Sequence, residues 1–372
     1  DVFVSEWIDV PPADFLASEQ VRVALPIIRK GNDQALRLLF ERPEICVGLT
    51  REQALEGLTG LTIGTLIELG RHLTLDAYDA AIRADWSRYR TARNGLQQLV
   101  HTLRNRPKAL IGLLIEVAVD GFERSLDRRL LAIGAQDAFE QWVPAAGNET
   151  QTANEALIRA LEGERTFFRN MIGGVDDAEL FQSPFVVSYP IDLGNLNGPV
   201  YSALGTLWRW TSLRAEVAAY DRFIDDWIAY LDSEPPPFAP ERDDDALIEA
   251  AAGNRAFLLG LFAPSNSGLR RNLVEVELTD ELIAEGRRLL TAAAEQGSLP
   301  ATWSPDPIDP ATGTPVRAER RIDEQTGDPY WILWSIGPNR IDDDGQNWTD
   351  DRENEDFEDT DDLAVRIGPP RD

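Results

Sequence analysis

Over most of the chain, apolar residues recur at three- and four-residue intervals, the spacing that gathers them on one side of an α-helix. The clearest stripe is Leu110, Leu113, Leu114 and Val117, which opens just after Pro107. Arg124, Arg128 and Arg129 follow near its far end, where they suit the negative end of the helix dipole. Residues 52–75 carry Leu55, Leu58, Leu61, Leu66 and Leu69 near the same period. Gly57, Gly60, Gly64 and Gly70 weaken that helix unless it packs closely against another. Tyr78, Ile82, Trp86, Tyr89, Leu96, Leu99 and Leu103 predict one helix over 75–104, stopped by Asn105, Arg106 and Pro107. Two more helices are expected over 154–171, after the polar stretch 147–152, and over 199–231, opened by Pro199. Trp208, Trp210, Phe223, Trp227 and Tyr230 load the second with aromatic surface, which is either bundle core or a docking face.

The period breaks over 181–198, with Pro184, Pro190, Gly194 and Gly198 around a short extended piece at 185–189. It breaks again at Pro235, Pro236 and Pro237. A helical pair follows, over 244–262 and 279–296, with Thr279 as cap and Asp280 and Glu281 in the first turn of the latter. Beyond Leu299 five prolines fall within sixteen residues, and short strand candidates replace the helical period. Residues 316–322 and 330–336 around a turn at 326–329 predict a hairpin, and 363–367 a last strand. The expected fold is mainly α: a multi-helix body over 1–233, a second helical segment over 234–298 packed on it, and a β-rich module over 299–372.

Composition narrows the functional classes. The 372 residues carry 64 acidic and 36 basic side chains, a formal charge of −28. That field opposes nucleic-acid phosphates and anionic membranes and favours cations, basic partners or a salty medium. A hydrophobic share of 43% allows a large core, and no apolar run reaches spanning length, so the chain reads as soluble. One cysteine, Cys46, forbids an internal disulfide and reads as a buried thiol, while His72 and His101 read as helix residues. The start at Asp1 reads as processed or truncated, leaving room for an export signal or membrane anchor ahead of it. No phosphate-binding glycine loop or serine-hydrolase elbow is present. Asp225 and Asp226, on the aromatic helix, are a candidate carboxylate pair for glycoside hydrolysis.

Residues 342–362 hold twelve acids against one arginine, so 21 residues carry −11 of the total charge. Such density favours an expanded loop unless a cation neutralises it. Calcium takes six to eight oxygens from carboxylates, amides and carbonyls. Asn339, Asp342, Asp343 and Asp344 offer such oxygens within one turn, Gly345 permits sharp geometry, and Asp359, Asp361 and Asp362 return from the far side. A solvated acidic loop is the competing reading; the spacing is not that of an EF-hand.

The run Trp334-Ser-Ile-Gly-Pro-Asn-Arg-Ile-Asp-Asp-Asp-Gly345, with Asp361-Asp-Leu-Ala-Val365, resembles the carboxy-terminal end of type II secretion major pseudopilins. It is similar also to the tails of large uncharacterised bacterial envelope proteins, which share a stretch seen here as Asp309-Pro-Ala-Thr-Gly-Thr-Pro315. The resemblance covers about 308–367. It implies a bound Ca2+ with the carbonyl of Ile336, the side chain of Asn339, Asp361, and Asp362 or Asp359 as ligands, Asn339 standing where the family usually has Asp. It implies a periplasmic or extracellular setting. The chain has no hydrophobic amino-terminal pseudopilin helix. The reading is a non-enzymatic envelope protein, structural or interacting with itself or another protein, with no nucleic-acid partner. The alternatives are a carboxylate-dependent polysaccharide hydrolase and an accessory subunit docking through its aromatic helix.

Overall fold

The computed structural model describes residues 19–41, 60–104, 110–142, 152–174, 214–240, 242–252, 266–324, 326–345 and 362–370. Among them are nine helices: α1 (Glu19–Glu41), α2 (Gly60–Ile82), α3 (Trp86–Arg104), α4 (Leu110–Ala132), α5 (Gln136–Glu140), α6 (Ala153–Gly174), α7 (Arg214–Asp232), α8 (Asp244–Ala252) and α9 (Asn266–Gln296). Five short strands follow: β1 (Ile308–Asp309), β2 (Thr314–Pro315), β3 (Arg317–Ile322), β4 (Pro329–Ser335) and β5 (Leu363–Ile367). The fold is mainly α with small antiparallel sheets near the carboxy end. No helix among the described residues is long and apolar enough to cross a membrane.

α4 is a wall shared by two cores. Its Ile115, Val119, Leu126 and Leu130 face α1, α2 and α3, where Leu73, Tyr78, Tyr89, Leu96 and Leu99 are buried. Its Leu110, Leu113 and Leu131 face α6, α7 and α9 in the second core. There Phe168 stacks on Tyr220 at 3.9 Å between ring centres, beside Phe223 and Trp227. Phe223 and Trp227 of α7 are therefore core, and Tyr230 is half-buried at its edge; Trp208 and Trp210 lie outside the described residues. β4 is the central strand of a three-stranded sheet, β3-β4-β5, and is buried on both faces. Trp331 and Leu333 join the second core, while Ile332 and Trp334 pack on the opposite face with Ala364.

Two helix boundaries differ from the periodicity. The expected 75–104 helix is broken at residues 83–85. Ala84 takes φ +55, the amide of Asp85 bonds the Ala80 carbonyl at 2.8 Å and that of Ala84 the Ala81 carbonyl at 3.1 Å, a helix-ending pattern usually built on glycine. Asp85 then caps α3 by accepting from the Arg88 amide at 3.1 Å. Conversely, Thr279 starts nothing: its hydroxyl donates to the Glu275 carbonyl at 2.7 Å in the middle of α9, which begins at Asn266. By contrast α6 starts after the polar stretch as expected, on a reciprocal Thr152–Glu155 capping box.

After β5 the chain folds back onto the end of α4. The Gly368 amide donates to the Leu131 carbonyl at 2.9 Å, and Arg128 donates to the Ala364 carbonyl at 3.1 Å. Gly134, at φ +65, lies so close that an added Cβ would stand 1.7 Å from the Pro369 carbonyl oxygen. Gly134→Ala is therefore expected to lower the unfolding free energy by at least about 2 kcal/mol in urea titration. Gly313→Ala, with φ +72 but open space around it, is expected to cost only about 1 kcal/mol. Equal losses would mean that the contact with 369 adds nothing.

Candidate functional site

The site is built where the end of β4 meets the start of β5. Asp309 is the buried anchor, 1% exposed. Its Oδ1 accepts from the Ala311 amide at 2.8 Å and the Ser335 hydroxyl at 2.9 Å, and its Oδ2 from the Ile336 amide at 3.1 Å. The β1–β2 turn is thereby pinned to the end of β4, just where the chain leaves the sheet. Pro310 favours that turn and Gly313 supplies its left-handed residue.

From Ile336 the chain makes a compact turn over the outer face of the sheet. The Asn339 carbonyl oxygen Oδ1 accepts from the Ile341 amide at 2.8 Å, an Asx turn. Asp342 Oδ1 accepts from the Trp334 indole at 3.0 Å and the Asp344 amide at 3.2 Å, and its Oδ2 pairs with Arg317. Burial pushes the Asp342 carboxyl up, but the indole, the amide and Arg317 together hold it below its ordinary value. Asp344 adopts φ +58, and its carbonyl accepts from Arg321 at 2.8 Å. Gly345 must be glycine: at φ +66, a Cβ would stand 3.0 Å from Ile332 Cδ1 and 3.1 Å from the Trp334 ring.

Asp362, just before β5, closes the turn. Its Oδ2 accepts from the Asp343 amide at 3.0 Å and the Gly345 amide at 2.9 Å. Its Oδ1 is buried and has no hydrogen-bond partner among the described residues. The residue is 1% exposed, and burial, reinforced by Asp343 and Asp342 and opposed by the two amides, pushes its carboxyl up to about 6. A buried carboxylate oxygen without a donor is costly, and a cation seated against it would remove that cost.

Of the expected calcium ligands, then, Ile336, Asn339, Asp342, Asp344 and Asp362 share this turn or its closing residue. Asn339 and Asp342 spend side-chain oxygens on the turn itself. Asp359 and Asp361 lie outside the described residues. Among the described residues no three His, Cys, Asp or Glu side chains form a group placed to hold a metal. What the turn offers a cation is the Asp362 oxygen together with ligands that would be drawn from its surroundings.

Other candidates are placed less suggestively. Asp225 is exposed on α7 and paired with Arg165. His72 lies 3.9 Å from Glu68, with its pKa lowered chiefly by burial, and His101 is exposed. Cys46 lies outside the described residues.

One cluster has no counterpart in the sequence patterns. Arg93 of α3 is completely buried against α4, its guanidinium 4.0 Å over the Trp142 ring and 3.0 Å from Asp127 and 3.4 Å from Glu123. Arg287 of α9 closes on the same Asp127. Burial pushes the Glu123 carboxyl up to about 7 despite Arg93, with Asp127 and Asp120 adding to the rise.

Comparison with known proteins gave no match: no family model fits the chain, and no curated protein or solved structure is detectably similar to it.

Proposed function

We propose that the chain is a non-enzymatic structural or interaction protein of the bacterial envelope or exterior, whose carboxy-terminal turn is completed by a calcium ion. The observation that carries the reading is the buried Oδ1 of Asp362, which has no partner among the described residues and lies beside a turn of three consecutive aspartates. The segment between that turn and Asp362 supplies further acids, and hard oxygen donors of this kind suit calcium. The likeness of 334–345 and 361–365 to the ends of major pseudopilins supports the same ion and an extracytoplasmic address, where calcium is plentiful. In this role the ion contributes local folding: it binds the folded turn and not the unfolded chain.

The test is thermal unfolding with calcium and with chelator. Calcium at ten times its dissociation constant contributes about 1.4 kcal/mol, which raises Tm by about 2 °C or more. Asp362→Asn keeps an oxygen for the two amides and removes the charge, so it is expected to fold and to lose the calcium response. Magnesium, which keeps its waters and demands tighter geometry, is expected to give a smaller shift. A melting curve of the unaltered chain that ignores calcium would dispose of the proposal.

A further inference from the structure

A cleft of about 480 Å³ opens where the end of α7, the 235–242 connector, the first turns of α9 and the turn after β4 converge. Its charge runs against that of the molecule. Arg242, Arg270, Arg271 and Arg340 line it, and among the described residues no aspartate or glutamate does.

These arginines are held in different ways. Arg270 is 5% exposed and fixed by carbonyls: its Nη1 donates to Pro237 at 2.9 Å, and its Nη2 to Pro235 at 2.9 Å and Pro236 at 3.0 Å. The Arg270 guanidinium thus donates to the carbonyls of the triple proline rather than to a carboxylate. Arg242 lies over the rings of Trp227 and Tyr230, 5.0 and 4.7 Å from their centres, and donates to the Asp226 carbonyl at 3.2 Å. Arg340 is exposed on a left-handed residue, φ +60. Arg271 is paired with Glu275 at 3.5 Å. Arg242, Arg270 and Arg340 form no ion pair among the described residues, in a chain where Arg88, Arg93, Arg124 and Arg366 all do. Asp244, two residues after Arg242, is taken up by the Trp227 indole at 3.1 Å and by the first amides of α9. Positive charge in a concave, partly apolar setting is focused rather than screened.

We infer that this cleft binds a small organic anion, a carboxylate on a compact apolar body. Guanidinium forks match carboxylate geometry, and Arg242 and Arg340 supply them. Pro237, Phe238, Pro240 and Pro338 form the apolar part of the lining, against which the body would lie. The volume is that of a small-molecule site, and an inorganic anion would fill only a fraction of it. The cleft borders the calcium turn, which supplies Arg340, so binding is measured both with calcium and in metal-free buffer without a carboxylate chelator.

Isothermal titration of the whole chain at low salt with benzoate, phthalate and glucuronate is expected to give saturable one-to-one binding of at least one of them. Arg340→Asn, which tolerates the left-handed backbone, and Arg242→Gln are each expected to weaken it at least about tenfold. An unchanged melting temperature of the exposed Arg340→Asn variant separates loss of binding from loss of fold. Benzamide, uncharged, and sulfate, without an apolar body, are expected not to compete. The inference is overturned if none of the three carboxylates binds, if both variants bind as the original does, or if benzamide or sulfate competes as well as the carboxylates.

Discussion

Replacing Asp309 by alanine is expected to lower the unfolding free energy by about 3–5 kcal/mol, since three donors lose their shared acceptor at once. Two of them are backbone amides, of Ala311 and Ile336, and the third is the fully buried Ser335 hydroxyl. The carboxylate is itself 1% exposed, so water has little access to replace it. Asp309→Asn keeps one oxygen and presents an amide to the other donors, so it is expected to lose about half as much. Because Ile336 begins the turn that carries Asp342 to Gly345, the alanine variant is also expected to lose most of its response to calcium. Urea titration of the three proteins measures the first effect. A loss below about 1 kcal/mol in Asp309→Ala would mean that these bonds merely replace hydration.

The second large effect is expected from Arg93→Met, at about 3–5 kcal/mol near pH 8. Methionine fills the apolar part of the site but leaves Glu123 without its cation and Asp127 with Arg287 alone. The loss should depend on pH in a fixed direction. Glu123 has a folded-state pKa of about 7, above its ordinary 4.5. A raised carboxyl contributes stability that is fully present below the unfolded value and is lost as pH rises through the folded one. Without Arg93 the folded value rises further, so the variant sheds more stability than the parent between about pH 5.5 and pH 8. The deficit is therefore expected to be smaller at the acid end. Urea titrations of both proteins at the two pH values decide it: a deficit that does not change would place the effect in packing against Trp142 rather than in charge.

These residues also mark how far the sequence can be read. The stripe of α4 was legible only in part: Leu110 and Leu113 are buried and Val117 half-buried, but Leu114 is exposed, because a helix between two cores buries Ile115 and Val119 on another side. The turn of Asn339, Asp342 and Asp344 was legible because its bonds run two residues along the chain. Thr279 misled for the same reason: Thr-Asp-Glu looks like a helix start from either side, and only the preceding Leu269, Leu273, Val274 and Leu278, buried in α9, show that the helix was already running. Ala84 misled by lacking the glycine that normally marks a left-handed stop. Asp309 was visible only as part of a proline-rich stretch, since its partner Ile336 lies 27 residues away. Arg93 and Asp127 are separated by 34 residues and Asp127 and Arg287 by 160, and no local period records such pairs. The cleft is hidden likewise, because its arginines come from three separate stretches that only the tertiary fold brings together.

The seating of β5 on α4 bears on how the chain is made. Arg128 and Ala364 meet although 236 positions separate them. At about 5–20 residues per second, a ribosome needs on the order of 10–50 s to cover that distance. Through that interval α4 can complete its side of the first core, but the surface that Val365 and Ile367 later cover stays open to water and to other chains. Cores whose last member arrives so late fold slowly and depend on protection during synthesis. Under the extracytoplasmic role proposed above, the same delay would be an advantage, because it would postpone the packed state until transport is over.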